Sequence, residues 1–259
     1  MTKEDTLLLK HFEDLSRTAY QKGIPVYSGF LTLYEQSLLT GMSASANGAC
    51  RLYSEYALSG GYDYAERKMA CFYDGDMPSD IPYSILNVKA AAPRFAEELS
   101  HRDYLGALMN LGIDREVLGD IVKESSHSVF IICKAAMADY ICDNYVTVKH
   151  TAVVCNVIPN ETAAAGQWLQ PHFEEITGSV SSLRLDCVLA LAFRRSRTQI
   201  SELIETGNVF VNSRLIMSGS YQLKKGDTVS ARGFGKFIFA DENGLSKKGK
   251  YYITLQKYT

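Results

Sequence analysis

The spacing of apolar positions in residues 1–78 predicts a mainly helical region. The stretch TLLLKHFEDLSRTAYQKG is amphipathic with helical spacing and ends at Gly23, a residue type that closes helices in a left-handed conformation. The stretch GIPVYSGFLTLYEQSLL is interpreted as a turn-rich entry to a second helix. In SGGYDYAERKMACFYDGDMP, a Gly-Gly turn precedes the charged run Glu66, Arg67 and Lys68. We interpret this run as the solvated end of a helix, with contact to a ligand as the alternative.

Residues 79–178 alternate between apolar runs of strand length and amphipathic helical stretches. The runs IPYSILNVKA, VLGDIVKE, SVFIICK and VTVKHTAVVCNVI predict strands, and AAMADYICDNY together with a stretch after Ser100 predicts helices. The resulting order, β-α-β-β-α-β, is the ferredoxin-like plan. RNA-recognition motifs share this plan, although their aromatic stacking signature is missing from these strands.

Residues 179–259 predict two short helices packed on a small, twisted sheet. The first helix has one apolar face, formed by Leu185, Val188, Leu189 and Ala192. The run RRSR interrupts it, and Ser196 with Gln199 forms the capping-box pattern that starts a second helix, which ends at Gly207. The stretches NVFVN and TVSARG predict strands joined by turns at Asn212-Ser213 and LKKGD. The whole chain is therefore predicted to be α+β, with a helical N-terminal part, a ferredoxin-like middle domain and a small C-terminal domain.

The composition fits a folded cytoplasmic protein with no membrane insertion. Of the 259 residues 46% are hydrophobic, and the 6 Cys and 5 His are scattered without a C-x-x-C pair or an H-E-x-x-H motif. The N-terminus MTKEDTLLLKHFEDL lacks the pattern of a signal peptide. The most apolar run, VFIICKAAMADYIC, is interrupted by Lys134 and Asp139 and is too short to span a bilayer. We expect no metal and no cofactor.

Charge is distributed unevenly along the chain. The net charge is −2, but residues 179–259 hold 13 Lys and Arg against 6 Asp and Glu, while residues 1–178 hold 14 against 23. A C-terminal domain of net charge +7 beside a body of net charge −9 indicates a polyanion as the partner of that domain.

The arginines concentrate at the junction of the two C-terminal helices. Arg184 precedes the first helix, and Arg194, Arg195 and Arg197 surround Ser196 between the helices. A helix N-terminus offers unpaired N–H groups to an anion, and the arginine fork matches phosphate geometry. We therefore predict a phosphate-binding surface here, with a merely solvated basic turn as the alternative.

The stretch RLDCVLALAFRRSRTQISELIETGNVFVNSRLI resembles the S-four RNA-binding domain, with the pattern R-L-D-x-x-L, S-R, I and G-x-V-x-V-N. The resemblance covers roughly residues 182–232. One departure is Ser213, where the family usually has Gly, so the turn there can be of another type. The resemblance and the charges together yield these RNA-binding candidates: Arg184, Arg194, Arg195, Ser196, Arg197, Gln199, Asn212, Arg214, Lys224 and Lys225.

A longer resemblance rests on SGGYDYAERKMACF, LSHRDYLGALMNLGIDREVLGDI and SSLRLD, in that order. These stretches are similar to the YlmH family of bacterial RNA-binding proteins, which places a helical part and a middle domain like an RNA-recognition motif before an S-four domain. The corresponding ranges here are 1–78, 79–178 and 179–259. The resemblance implies ribosomal RNA and tRNA as partners, on large ribosomal subunits that carry peptidyl-tRNA. It also implies a role in rescuing stalled nascent chains and a connection to division proteins.

The His-Arg-Asp of LSHRDYLGALMNLGIDR does not mark a kinase. A kinase catalytic loop has Asn five positions after the Asp, and this chain has Leu108 there. Ser100 and Asp103 instead fit the cap and first turn of a helix, and Gly112 fits its end. We predict an ordinary amphipathic helix.

Two further motifs leave a non-enzymatic RNA-binding factor as the main expectation. Pseudouridine synthases have His before Arg-Leu-Asp, but here Leu183 stands in that position and an apolar helix follows Asp186. A synthase-type RNA-modifying enzyme and a scaffold linked to cell division remain the alternatives. The stretch RGFGKFIF imitates the RNA-recognition signature, but its place after the S-four core favours a final strand, where Phe234 can stack on a base.

Overall fold

A computed structural model describes residues 2–44, 50–159, 173–246 and 249–258. The chain forms two compact units: Met1–Glu35 with Gly41–Gln170, and Gln36–Thr40 with Pro171–Thr259. Helices and sheets occur together in the chain, which confirms the α+β class. No helix within the described residues combines the length and the apolar character needed to cross a membrane.

The N-terminal part contains a sheet as well as helices. Its elements are α1 (Lys3–Lys22), β1 (Val26–Leu31), α2 (Leu33–Ala44), β2 (Glu55–Ser59) and β3 (Lys68–Tyr73). The predicted α1 is confirmed, since it ends at Gly23 with a left-handed backbone. The strands form an antiparallel sheet of order β1-β3-β2, which the apolar spacing did not indicate. Four successive residues of β3 are buried, so this strand lacks the alternation that reveals a half-exposed strand.

Arg67 ties this sheet to the middle domain. Its guanidinium donates to three backbone carbonyls at 2.6, 3.1 and 2.9 Å, those of Phe30, Arg115 and Leu118. The carboxylate of Asp120 accepts the backbone N–H groups of Glu66 and Arg67 at 2.7 and 3.0 Å. The run of Glu66, Arg67 and Lys68 therefore leads into β3 and is held by hydrogen bonds to the middle domain. The interpretation of this run as the solvated end of a helix was wrong.

The middle domain has the predicted ferredoxin-like order. Its elements are β4 (Tyr83–Ala90), α3 (His101–Asn110), β5 (Leu118–Ser125), β6 (Ser128–Lys134), α4 (Ala138–Asn144), β7 (Thr147–Val148) and β8 (Thr151–Ile158). The sheet order is β5-β6-β4-β8-β7, and its neighbours pair antiparallel. The stretch VTVKHTAVVCNVI, predicted as one strand, is a hairpin that turns at Lys149, whose φ is 50°.

The His-Arg-Asp stretch starts α3, as predicted. Ser100 and Asp103 form a capping box, in which the Asp103 carboxylate accepts the Ser100 backbone N–H at 2.8 Å. Asp103 also pairs with the Lys149 ammonium at 2.9 Å. The hydrogen bonds from Ser100, reinforced by Lys149, lower the pKa of Asp103 to about 2. This carboxylate therefore serves the helix start.

The C-terminal unit is a six-stranded antiparallel sheet with two helices. Its elements are β9 (Phe173–Val180), α5 (Leu185–Phe193), α6 (Arg197–Glu205), β10 (Val209–Val211), β11 (Arg214–Leu215), β12 (Thr228–Ala231), β13 (Gly235–Leu245) and β14 (Tyr251–Tyr258). The sheet order is β11-β10-β12-β13-β14-β9. Because β9 pairs with β14 along its whole length, residues 173–178, which were predicted to lie in the middle domain, belong to this sheet. The larger unit likewise continues across the predicted boundary at residue 78.

The core of the C-terminal unit lies between the helices and one face of this sheet. The predicted apolar face of α5 is fully or nearly fully buried, and Ile200 and Ile204 of α6 join it. The sheet contributes Phe237 and Phe239. A Cβ at Gly178 would lie 2.6 Å from a Leu191 methyl group, so a larger residue there would require the Leu191 side chain to shift.

Candidate nucleic-acid interface

The junction between α5 and α6 is built by local backbone signals. Arg194 closes α5 in a left-handed conformation with φ 51°. Ser196 then caps α6: its hydroxyl accepts the Gln199 N–H at 3.4 Å, and the Gln199 side chain accepts the Ser196 N–H at 3.3 Å. The predicted capping box is confirmed. The N–H groups of Arg197 and Thr198 in the first turn have no partner within the helix.

Three arginines surround this helix start without a neutralising carboxylate. Arg194, Arg195 and Arg197 are exposed, and no Asp or Glu of the described residues lies within ion-pair distance of them. The Arg197 guanidinium donates to the Ser181 hydroxyl at 3.1 Å and to the Cys187 sulfur at 3.0 Å. These uncharged partners hold the side chain in place and leave its positive charge available to an anion.

Arg184 differs from the other three because it pairs with Asp186. Its Nε and Nη2 donate to the two carboxylate oxygens at 3.1 and 2.8 Å, and the Asp186 side chain is only 12% exposed. Burial alone would raise the pKa of Asp186, but hydrogen bonds from Arg184 and Cys187 outweigh it and lower that pKa below its usual range. The first-turn position predicted for Asp186 is confirmed.

The hairpin candidates form a second group, organised by the buried Asp227. The Asn212 amide donates to one Asp227 oxygen at 2.8 Å and accepts the Thr228 N–H at 2.9 Å, while the Lys224 N–H donates to the other Asp227 oxygen at 2.8 Å. Asn212 and Ser213 have φ of 49° and 64°. Two left-handed residues define a type I′ turn, so Ser213 occupies a position that glycine or asparagine adopts more easily.

The structure therefore separates the ten candidates by what their side chains do. Ser196, Gln199 and Asn212 make hydrogen bonds inside the unit, and Arg184 and Lys225 form ion pairs, the latter with Asp241 at 2.9 Å. Within the described part of the chain, no hydrogen bond or ion pair connects the candidates at the helix junction to those at the hairpin, which are Asn212, Arg214, Lys224 and Lys225. Among the ten candidates, the exposed cations without an ion pair to the described residues are Arg194, Arg195, Arg197, Arg214 and Lys224.

Comparison with known proteins decides the family. One family model, described as "Putative RNA-binding domain in YlmH", matches residues 78–162, and the S4 domain model matches residues 183–229. "Ribosome-associated protein quality control protein P2" of Bacillus subtilis (strain 168) is 34% identical over 235 residues, which cover 88% of this chain and 85% of that protein. The chain belongs to the YlmH family. A solved structure, "Cell division protein ylmH from Streptococcus pneumoniae", is 18% identical, with a TM-score of 0.49 over 63% of this chain and 96% of its own.

This YlmH-family chain carries two domains of RNA-binding type, which support RNA binding as its function. All ten candidate residues fall inside the S4 match. Three residues that hold these candidates in place were not predicted from sequence, namely Ser181, Cys187 and Asp227. Asp227 had a recognisable signal, because an Asp that ends a Lys-Lys-Gly turn commonly bonds to turn backbone. Ser181 and Cys187 had no such signal, since their partner Arg197 lies in the next helix.

Changing Asp186 to Asn tests whether this carboxylate is structural. We expect the free energy of unfolding at neutral pH to fall by about 1–2 kcal/mol, because one charge-assisted pair is lost. The pKa of Asp186 in the folded wild type is lower than in the unfolded chain. The carboxylate therefore stabilises the fold fully above the unfolded-state pKa, and this contribution is lost as the pH falls through the folded-state pKa. Urea unfolding at pH 7 and at pH 3 should therefore show a smaller difference between the two proteins at pH 3.

RNA binding by the folded Asp186→Asn protein should stay close to that of the wild type. A variant that unfolds like the wild type yet no longer binds RNA would contradict the structural role of Asp186.

Proposed function

We propose that this protein is a non-enzymatic cytoplasmic factor that binds ribosomal RNA and tRNA on large ribosomal subunits carrying peptidyl-tRNA. It acts there in the rescue of stalled nascent chains. The observation that carries the proposal is the group of Arg194, Arg195 and Arg197 at the start of α6, exposed and without ion pairs to the described residues. The name of the Bacillus subtilis relative, which refers to ribosome association and quality control, supports the choice of target.

Phosphate recognition follows from the charges at the junction. Each arginine offers a planar fork of donors, and the first turn of α6 adds N–H groups and the positive end of the helix dipole. The segment from residue 179 onward carries +7 while the rest of the chain carries −9. This asymmetry favours the basic C-terminal segment as the part of the chain that contacts RNA.

The environment of Asp186 weighs against the synthase alternative. That residue occupies the place of the synthase's catalytic Asp, and a nucleophile or base must reach the substrate. Here both carboxylate oxygens accept hydrogen bonds from Arg184, and the side chain is largely buried. No comparable observation favours a division scaffold.

Co-sedimentation of the full chain with ribosomal subunits tests the proposed target. Large subunits carrying peptidyl-tRNA should bind at least ~10-fold more tightly than vacant large subunits, a difference of about 1.4 kcal/mol. Small subunits serve as the control for non-specific attraction to RNA. Equal binding to all three particles would contradict the proposal, and ribonuclease-resistant association with division proteins would favour the scaffold.

A further inference from the structure

A cluster of aromatic rings and cations lies beside the arginine junction. Phe193, the last residue of α5, contacts Phe234 in the turn between β12 and β13, with ring centroids 5.6 Å apart. The Arg195 guanidinium lies over the Phe234 ring at 5.7 Å, and the Lys257 ammonium lies over the Phe193 ring at 6.0 Å. We call these four residues the ring site. Two of them, Phe234 and Lys257, lie beyond the segment that matches the S4 domain.

The two rings are not equivalent. Phe193 also packs edge-on against the fully buried Phe237 at 5.8 Å, so its ring helps to close the core. Phe234 stands in a turn between Gly233 and Gly235, which have φ of 79° and 110°. A Cβ added at either glycine would meet no atom within 4 Å, so the backbone on both sides of Phe234 borders open space. Phe234 is itself half-buried against the same core, so the part of its ring that a flat ligand can approach is the outer side, next to these two glycines.

The two cations are not equivalent either. The strand register places Glu174 opposite Lys257, so a carboxylate weakens the attraction of Lys257 for an anion. Arg195 has no ion pair with any described residue and belongs to the same junction that attracts phosphate. Its guanidinium can thus attract the RNA backbone and also stack, because a guanidinium is planar.

We propose that Phe234 and Arg195 form a stacking site for one unpaired base of the bound RNA. Unpaired bases stack on aromatic side chains and on guanidinium planes, and such contacts tolerate any base because every base has a π-face. Arginines 194 and 197 hold the phosphates on one side of the site, and the ring site takes the base. This inference rests on the proposed RNA-binding function and adds the requirement for a single-stranded nucleotide.

The test compares two RNA probes with the full-length protein. One is a short single-stranded RNA, and the other is the same strand with abasic nucleotides, which retains every phosphate but has no base to stack. The wild type should bind the base-bearing strand at least ~5-fold more tightly than the abasic one. Phe234→Leu should remove this preference while its affinity for the abasic strand stays unchanged. Arg195→Lys, which keeps the charge but not the plane, should reduce the preference.

Matched variants separate stacking from folding. Phe234→Tyr keeps an aromatic ring and should keep the preference, whereas Tyr252→Leu removes an exposed ring of β14 outside the ring site and should leave it unchanged. Circular-dichroism melts show which variants are folded. Equal wild-type affinity for both RNA probes, or a folded Phe234→Leu protein that keeps its preference, would overturn the inference. In both cases co-sedimentation with large subunits would still report separately on the proposed function.

Discussion

Replacing Arg194 and Arg197 together by Ala is expected to weaken binding to large ribosomal subunits by at least ~100-fold. Hydrogen bonds to charged groups contribute about 1.5–3 kcal/mol each, so the loss of two phosphate contacts amounts to ~3–6 kcal/mol. Both side chains are exposed, and the capping box of Ser196 and Gln199 does not depend on them. The fold should therefore survive, and co-sedimentation beside a thermal melt measures both effects.

The salt dependence of binding gives a second readout of the same change. Each phosphate contact contributes roughly −0.7 to −0.9 to the slope of log affinity against log salt, so the double variant should show a slope shallower by about 1.4–1.8. Lys10→Ala/Lys22→Ala is the matched control, because it removes two exposed charges from α1 in the acidic part of the chain. If the arginine variant melts normally and retains both its affinity and its slope, the RNA surface lies elsewhere.

The junction between α5 and α6 could be predicted from sequence because the residues that form it are close together in the chain. Ser196 and Gln199 are three residues apart, and the capping box that they form needs no other part of the chain. The apolar spacing of α5 is equally local. The pairing of Arg184 with Asp186 escaped prediction, since side chains two positions apart diverge on a helix. Arg184 is the residue before the helix, and its extended backbone, with ψ 143°, lets the side chain turn back.

The elements that escaped prediction depend on distant partners. β9 is a mostly exposed edge strand, and its pairing with β14 joins residues about 80 positions apart, such as Phe173 and Tyr258. β1 is short, and its partner β3 lies beyond a helix and another strand. A strand of this kind is defined by the backbone beside it, which no pattern within the strand reveals.

Arg67 illustrates the same limit with a larger consequence. The run Glu66, Arg67 and Lys68 resembles an exposed charged segment, because no nearby residue in the sequence indicates that three backbone carbonyls accept hydrogen bonds from Arg67. Burial lowers the pKa of Arg67, and neighbouring Glu35 and Asp120 oppose that shift. The acceptors come from β1, from the start of β5 and from the turn that precedes β5. One side chain thus satisfies backbone groups of the N-terminal sheet and of the middle domain.

Replacing Arg67 by Ala is consequently expected to lower the free energy of unfolding by about 3–5 kcal/mol. The carbonyls of Phe30, Arg115 and Leu118 would lose a charged donor, and each such hydrogen bond is worth roughly 1.5–3 kcal/mol before water enters the space. Arg67→Lys should recover only part of the loss, because one ammonium cannot reach all three acceptors. Urea unfolding measures the effect.

Arg51→Ala is the matched control: it removes an exposed arginine that lies over the Tyr53 ring at 4.5 Å, which should cost at most about 1 kcal/mol. If Arg67→Ala proved no more destabilising than Arg51→Ala, the guanidinium would not be what joins the two sheets.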